Sequence, residues 1–334
     1  EGALILEIAE SDTFNFADVD SLGTITEITD YMDRHITEVL NLKLVDVNAV
    51  KQRKFKVVVD GVNSSGGIVI PALLEKMGVE VVELYCEPNG HFPHNPEPLK
   101  EHLTDICELV VKEQADFGIV VDPDVDRLAF ISNDGEMFGE EYTLVAVADY
   151  VLSKTPGNTV SNMSSSRALR DITEKHGGMY EASAVGEVNV VELMKKNNAI
   201  IGGEGNGGII YPEAHYGRDS LVGVALFLTH LANQNLDVAS LRASYPQYFM
   251  SKNKIELTPE IDVDAILDAM QKRYVNEKIT TIDGVKIDLA DSWVHLRKSN
   301  TEPIIRIYTE APTQQQADAL AEKIISEIKE VVQQ

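Results

Sequence analysis

Three aspartates at alternate positions, Asp122, Asp124 and Asp126, follow the apolar run Gly118-Ile119-Val120-Val121 in the segment Asp-Pro-Asp-Val-Asp-Arg. Carboxylates are hard oxygen donors. Alternate side chains of an extended segment project to one side, so the triplet can gather on one Mg²⁺. Pro123 stiffens the loop, and Arg127 can offset the repulsion among the three charges or reach a phosphate oxygen. A lone acidic turn is normally only solvated, but three carboxylates directly after an apolar run favour a cation. An EF-hand is excluded, because Arg127 and Asn133 stand where that loop needs glycine and glutamate. A phosphatase using Asp122 as nucleophile stays open as an alternative, although Asp126 occupies the place where that class has threonine or valine.

Two further segments suit a phosphorylated sugar. Gly202-Gly203-Glu204-Gly205-Asn206-Gly207-Gly208 lets the backbone approach a ligand closely, while Glu204 and Asn206 offer an acceptor and a donor/acceptor to neighbouring hydroxyls. Arg297-Lys298-Ser299-Asn300-Thr301-Glu302-Pro303 combines a guanidinium fork for phosphate with the short donors Ser299, Asn300 and Thr301. Arg306 follows on the next strand and can reach the same site or pair with a surface carboxylate. Alone, the glycine-rich segment is more often a tight strand-to-helix connection, and the Ser-Asn-Thr segment is as readily a side-chain-capped turn. His215 is a candidate acid or base, Ser164-Ser165-Ser166 reads as a helix cap, and His91 and His94 lie in a stiff proline-rich loop.

These loops need strands to carry them. From Phe55 the pattern alternates: strands over 55–60, 79–84 and 117–121, with helices over 68–77 and 99–114 between them. A second set follows, with strands over 159–163, 179–184 and 199–203 and helices near 168–176 and 187–197. Both the acidic and the glycine-rich loops therefore leave the carboxyl end of a strand, where open α/β sheets place ligands. An apolar helix over 218–231 begins at Asp219 and Ser220, which can cap it. The last region pairs helices 263–274 and 314–332 with strands 285–289, 293–296 and 304–309, as an antiparallel α+β unit would. The expected organisation is multidomain α/β: residues 1–50 as the tail of a preceding domain, two related α/β domains at 51–154 and 155–252, and a smaller α+β domain at 253–334.

Composition narrows the partners. A chain of 334 residues exceeds what one core usually serves, and its 44% hydrophobic and 25% charged content is that of a globular protein. A net charge of −25 argues against nucleic acid or an anionic membrane as partner, so a phosphate ligand needs a local island of arginines, metal and amides. Cys86 and Cys107 form no framework pattern, as expected of a reducing, cytoplasmic compartment. The oligomeric state is not legible.

Taken in order, these motifs resemble those of the α-D-phosphohexomutase family, which includes phosphoglucomutases, phosphomannomutases and phosphoglucosamine mutases. DPDVDR is similar to the family's metal loop, GGEGNGG to its sugar loop and RKSNTEP with Arg306 to its phosphate loop; Phe92-Pro93-His94-Asn95-Pro96 resembles another segment of many members. The resemblance implies two related α/β domains and a smaller C-terminal one within a four-domain protein. It implies Mg²⁺ on Asp122, Asp124 and Asp126, sugar on Glu204 and Asn206, distal phosphate on Arg297, Ser299, Asn300, Thr301 and Arg306, and Arg127 near the transferring group. The implied reaction interconverts hexose 1- and 6-phosphates through a phosphoserine and a bisphosphate. Two departures stand out. The family's Ser-His-Asn-Pro type loop occurs nowhere in the sequence, so the expectation is a fragment inactive alone; a non-catalytic sugar-phosphate binder is the alternative. Gly208 also stands where many members carry a histidine, which leaves His215 as the acid/base candidate.

Overall fold

The computed structural model describes residues 2–256, 262–299 and 304–332. The chain divides into two compact units, 1–35 and 36–334. The first holds helix α1 (Gly2–Ser11) and a single helical turn at Val19–Ser21, and none of its described residues is buried.

In the second unit, the first sheet begins after α2 (Tyr31–Leu40) and α3 (Val47–Arg53). It comprises β1 (Lys56–Asp60), α4 (Gly66–Lys76), β2 (Glu80–Leu84), α5 (Thr104–Lys112), β3 (Phe117–Val121) and β4 (Leu128–Ser132). Strand order is β2-β1-β3-β4, parallel except for the antiparallel β3–β4 hairpin. Strands β3 and β4 are buried at every position, which is why β3 reads as an unbroken apolar run rather than an alternating one.

Helix α6 (Glu140–Lys154) leads into the second sheet: β5 (Asn158–Asn162), α7 (Ala168–Lys175), β6 (Tyr180–Ser183), α8 (Glu187–Asn197), β7 (Ala199–Glu204) and β8 (Gly208–Ile210). Its order, β6-β5-β7-β8 with an antiparallel β7–β8 hairpin, repeats that of the first sheet. Helix α9 (Ser220–Gln234) and short α10 (Val238–Ala243) follow. Asp219 caps α9 as expected, accepting from the Val222 N–H at 3.1 Å.

Helices α6 and α9 pack together and bury side chains around most of their circumference, so one continuous core serves both sheets. At its centre Phe227 of α9 stacks on Phe130 of β4, ring centroids 3.8 Å apart, and meets Phe117 and Phe138 edge-on. The two hairpins are thereby held in a fixed relation.

The C-terminal sheet is wholly antiparallel, as expected. It takes β9 (Phe249–Glu256) at one edge, then α11 (Val263–Arg273), β10 (Lys278–Thr280), β11 (Val285–Asp288), β12 (Trp293–Lys298), β13 (Ile304–Ala311) and α12 (Gln314–Val332), with strand order β10-β11-β12-β13-β9. The expected boundary at 252–253 falls inside β9. One face packs Val285, Ile287, Val294, Leu296, Ile305 and Ile307 with the core residues of α11 and α12. The alternate residues, among them His295, Arg297, Arg306 and Tyr308, occupy the opposite face.

Candidate active site

The acidic loop is the β3–β4 hairpin connection. It is not extended, as the spacing alone implied, but a tight turn: Val125 donates its N–H to the Asp122 carbonyl at 3.1 Å and adopts φ +60°. The Asp122 carboxylate closes the turn, its Oδ1 accepting from the backbone N–H of Asp126 (3.0 Å) and Arg127 (2.9 Å). That folding gathers one carboxylate oxygen each from Asp122, Asp124 and Asp126 within 4.8 Å of one another. Burial and the neighbouring Asp126 and Asp124 charges push the Asp122 carboxyl up to about 6. Three converging carboxylates with this strain between them fit a hard divalent cation such as Mg²⁺. Ser64 and Ser65 fasten the loop from below, both donating to the Pro123 carbonyl.

The glycine-rich loop is the matching connection, between β7 and β8. Gly207 has φ +83° and lies against β4, where a Cβ would sit 2.0 Å from the Leu128 carbonyl oxygen. Only glycine lets the two hairpins approach so closely. Glu204 is buried, its Oε1 accepting from Asn162 Nδ2 (2.9 Å) and the Gly186 N–H (3.2 Å). Asn206 turns its Oδ1 onto the Gly208 N–H at 3.2 Å.

Arg218 joins the two loops. Its Nη1 donates to Glu204 Oε2 at 2.9 Å and its Nη2 to Asp126, while its own N–H donates to Glu187 Oε1 at 3.1 Å. Beside it, the Ser220 N–H donates to the Val125 carbonyl at 3.1 Å. The sequence reading passed over Arg218, because its importance lies in a contact between loops about ninety residues apart. The Gly-Arg-Asp stretch right after the sugar loop was the only available signal.

Across the opening stands the polar face of the C-terminal sheet. Arg297 on β12 and Arg306 on β13 are direct cross-strand partners, so two like charges lie side by side, an arrangement an anion between them would relieve. Arg297 is held by Asp283, Nε to Oδ2 at 2.9 Å. Ser299 is buried and donates its N–H to the Ile304 carbonyl at 3.0 Å, closing the β12–β13 turn. Asn300 and Thr301 lie outside the described residues.

One cleft of about 310 Å³ brings these parts together, lined among others by Arg127, Glu204, Asn206, Arg218, Arg297 and Arg306. Arg127 reaches it from the acidic loop, with Nη1 on Glu97 Oε1 at 2.8 Å and its buried Nε 3.6 Å from Asp122 Oδ2. His215 is not among the lining residues; its Nε2 lies 2.9 Å from Asp219 Oδ2, at the cap of α9. His94 also serves elsewhere. Its Nδ1 meets the Asn95 carbonyl at 2.7 Å and its Nε2 the buried Asp60 at 3.0 Å, so the carboxylate raises its pKa.

Ser164, expected only as part of a helix cap, and residues not singled out in the sequence complete the wall. Ser166 makes the expected helix-start contact, its Oγ accepting from the Ala168 N–H at 3.1 Å, but Ser164 faces the cleft. There its hydroxyl donates to His295 Nδ1 (2.9 Å), because His295 Nε2 is committed to the Asp283 carbonyl at 2.7 Å. Burial lowers His295 to about 4, so it is neutral. Glu140 and Glu141 of α6 and Lys252 of β9 also line the cleft.

Comparison with known proteins shows the family of the chain. Residues 31–135, 139–248 and 254–327 match, in order, phosphoglucomutase/phosphomannomutase alpha/beta/alpha domain II, alpha/beta/alpha domain III and C-terminal domain. A phosphoglucomutase/phosphomannomutase of Thermococcus kodakarensis is 35% identical over 99% of this chain and 72% of its own length. A probable phosphoglucosamine mutase of Methanopyrus kandleri is 30% identical over 94% and 69%. Among solved structures, a family protein of Burkholderia thailandensis superposes with a TM-score of 0.79 at 24% identity, over 90% of this chain but only 64% of that one. The chain thus spans about two thirds of the length of these proteins. It belongs to the phosphoglucomutase/phosphomannomutase family.

Proposed function

We propose that this chain carries the cation, sugar and phosphate sites of a Mg²⁺-dependent cytoplasmic phosphohexomutase, which interconverts hexose 1- and 6-phosphates through a phosphoserine and a bisphosphate. The observation carrying this reading is Arg218, which bonds a carboxylate of the acidic triplet and the glutamate of the sugar loop inside a cleft also lined by Arg297 and Arg306.

Each residue then has a physical task. Arg297 and Arg306 hold the phosphate that does not react, with Ser299, Asn300 and Thr301 as short donors around it. Glu204 and Asn206 take the sugar hydroxyls. Arg127, whose Nε lies 3.6 Å from Asp122 Oδ2 and whose Nη1 bonds Glu97, meets the transferring phosphoryl group. Asp122, Asp124 and Asp126 hold the cation, which when bound supplies positive charge to the transferring group. Phosphoryl transfer is mostly positioning and charge neutralisation, so residues fixed by a shared core suit it. No sequence of the Ser-His-Asn-Pro type occurs among the 334 residues. An aspartyl phosphatase is disfavoured because Asp126 occupies the place where that class has threonine or valine.

Titration calorimetry of this chain with glucose 6-phosphate and Mg²⁺, alongside a coupled assay for hexose phosphate interconversion, tests the proposal. Saturable binding that weakens about tenfold or more in Arg297→Ala, with no turnover by the chain alone, is expected. Release of inorganic phosphate, or binding indifferent to Arg297→Ala, would overturn it.

A further inference from the structure

The carboxylates lining the cleft are not alike. Glu97 is paired with Arg127, Glu140 with Lys252, and Glu204 with Arg218. Glu141, the second residue of α6, has no cation within ion-pair distance among the described residues, and its one hydrogen bond there is Oε2 accepting from the Ser166 N–H at 2.8 Å. Its carboxyl lies directly on the sugar loop: a Cβ at Gly205 would sit 1.9 Å from Glu141 Oε1 and 2.3 Å from its Cδ. Glycine at 205, between Glu204 and Asn206, is what makes room for it.

An unpaired carboxyl in a cleft built for an anionic ligand is costly if ionised, because burial penalises the charge and the ligand phosphate repels it. We infer that Glu141 is a specificity residue that receives a protonated amine on the sugar ring, making a hexosamine phosphate the preferred ligand of this cleft. The inference rests on the sugar-phosphate reading above. An ammonium group would supply the one missing countercharge, with a charge-assisted hydrogen bond where a neutral hydroxyl gives a weaker one. Burial pushes the Glu141 carboxyl up to about 8 in the empty cleft, so pairing with an ammonium releases its proton to solvent and leaves the carboxylate that the amine neutralises. Lys252, whose charge also reaches Glu141, is bound to Glu140.

Calorimetric titration of this chain with glucosamine 6-phosphate and glucose 6-phosphate, both with Mg²⁺, decides the matter. The amino sugar is expected to bind on the order of ten- to a hundredfold more tightly. Glu141→Gln, which keeps the contact to the Ser166 N–H, should reduce that ratio to near one while leaving glucose 6-phosphate binding within about threefold. Gly205→Ala, which drives a methyl into the carboxyl's place, should cut the ratio from the opposite side. Equal affinities in the unaltered chain, or a ratio unchanged by Glu141→Gln, would overturn the assignment. Binding of neither compound would sink the sugar-phosphate reading and this assignment with it.

Discussion

The two α/β sheets share one strand order, and each places a polar loop at the same point, the hairpin leaving the third strand. Their chemistry nonetheless diverges completely. The β3–β4 turn spends a positive φ on Val125 and a carboxylate on its own backbone, and so gathers three acidic groups within 4.8 Å of one another. The β7–β8 turn is shorter and glycine-built, pressed so close to β4 that its neighbour Glu204 is buried and shares Arg218 with the first loop. A common scaffold thus supplies position, and the loop residues alone supply function.

Breaking the close approach should be the most damaging change. Gly207→Ala forces a side chain onto φ +83° and into the Leu128 carbonyl. Left-handed backbone costs about 1–2 kcal/mol for a non-glycine residue, and the collision adds to it, so a loss of about 3 kcal/mol or more is expected in urea denaturation. Because both sheets share the Phe227 core, they should still unfold in one transition.

A smaller, pH-dependent effect separates the second sheet from the first. The second is docked to the C-terminal sheet through Ser164 and the buried neutral His295. His295 has a folded pKa of about 4, below the value of about 6.5 for the unfolded chain. Between those values the unfolded chain binds the extra proton, so stability is complete above about pH 6.5 and falls as pH drops toward 4. The contribution is at most on the order of 3 kcal/mol. Melting curves across this range should show a shallower pH slope in His295→Gln than in the unaltered chain; parallel slopes would show that His295 does not titrate on unfolding.

Much of this was legible in the residues. Continuous apolar runs marked β3, and the strand-then-loop order of the Asp triplet and the Glu204 loop placed both at carboxyl ends. Arg297 and Arg306 were legible because two strands flank their turn. Other parts were hidden for identifiable reasons. Helix α6 buries side chains nearly all round, so it carries no amphipathic stripe, and Glu141 in its first turn looks like an ordinary acidic helix start. Strand β9 is an edge strand with lysines at alternate positions and little burial. Strand β8 is a three-residue hairpin return, and β4, as long as β3, directly follows the acidic turn. His295 sits in an otherwise apolar strand run, and its partner Ser164 is 131 residues away. Arg218 acquires its role only once both hairpins are folded. The helix expected over 99–114 is a single turn at Lys100–His102 followed by α5, since Leu103 leaves helical geometry between them.

The most direct measurement is a Mn²⁺ titration followed by electron paramagnetic resonance, with Mn²⁺ standing in for Mg²⁺. The chain should bind a single Mn²⁺ saturably, Asp126→Asn should weaken it on the order of a hundredfold, and Glu204→Gln should leave it within about threefold. A chain with no saturable site, or with affinity untouched by Asp126→Asn, would contradict a cation held by the first hairpin and a sugar by the second.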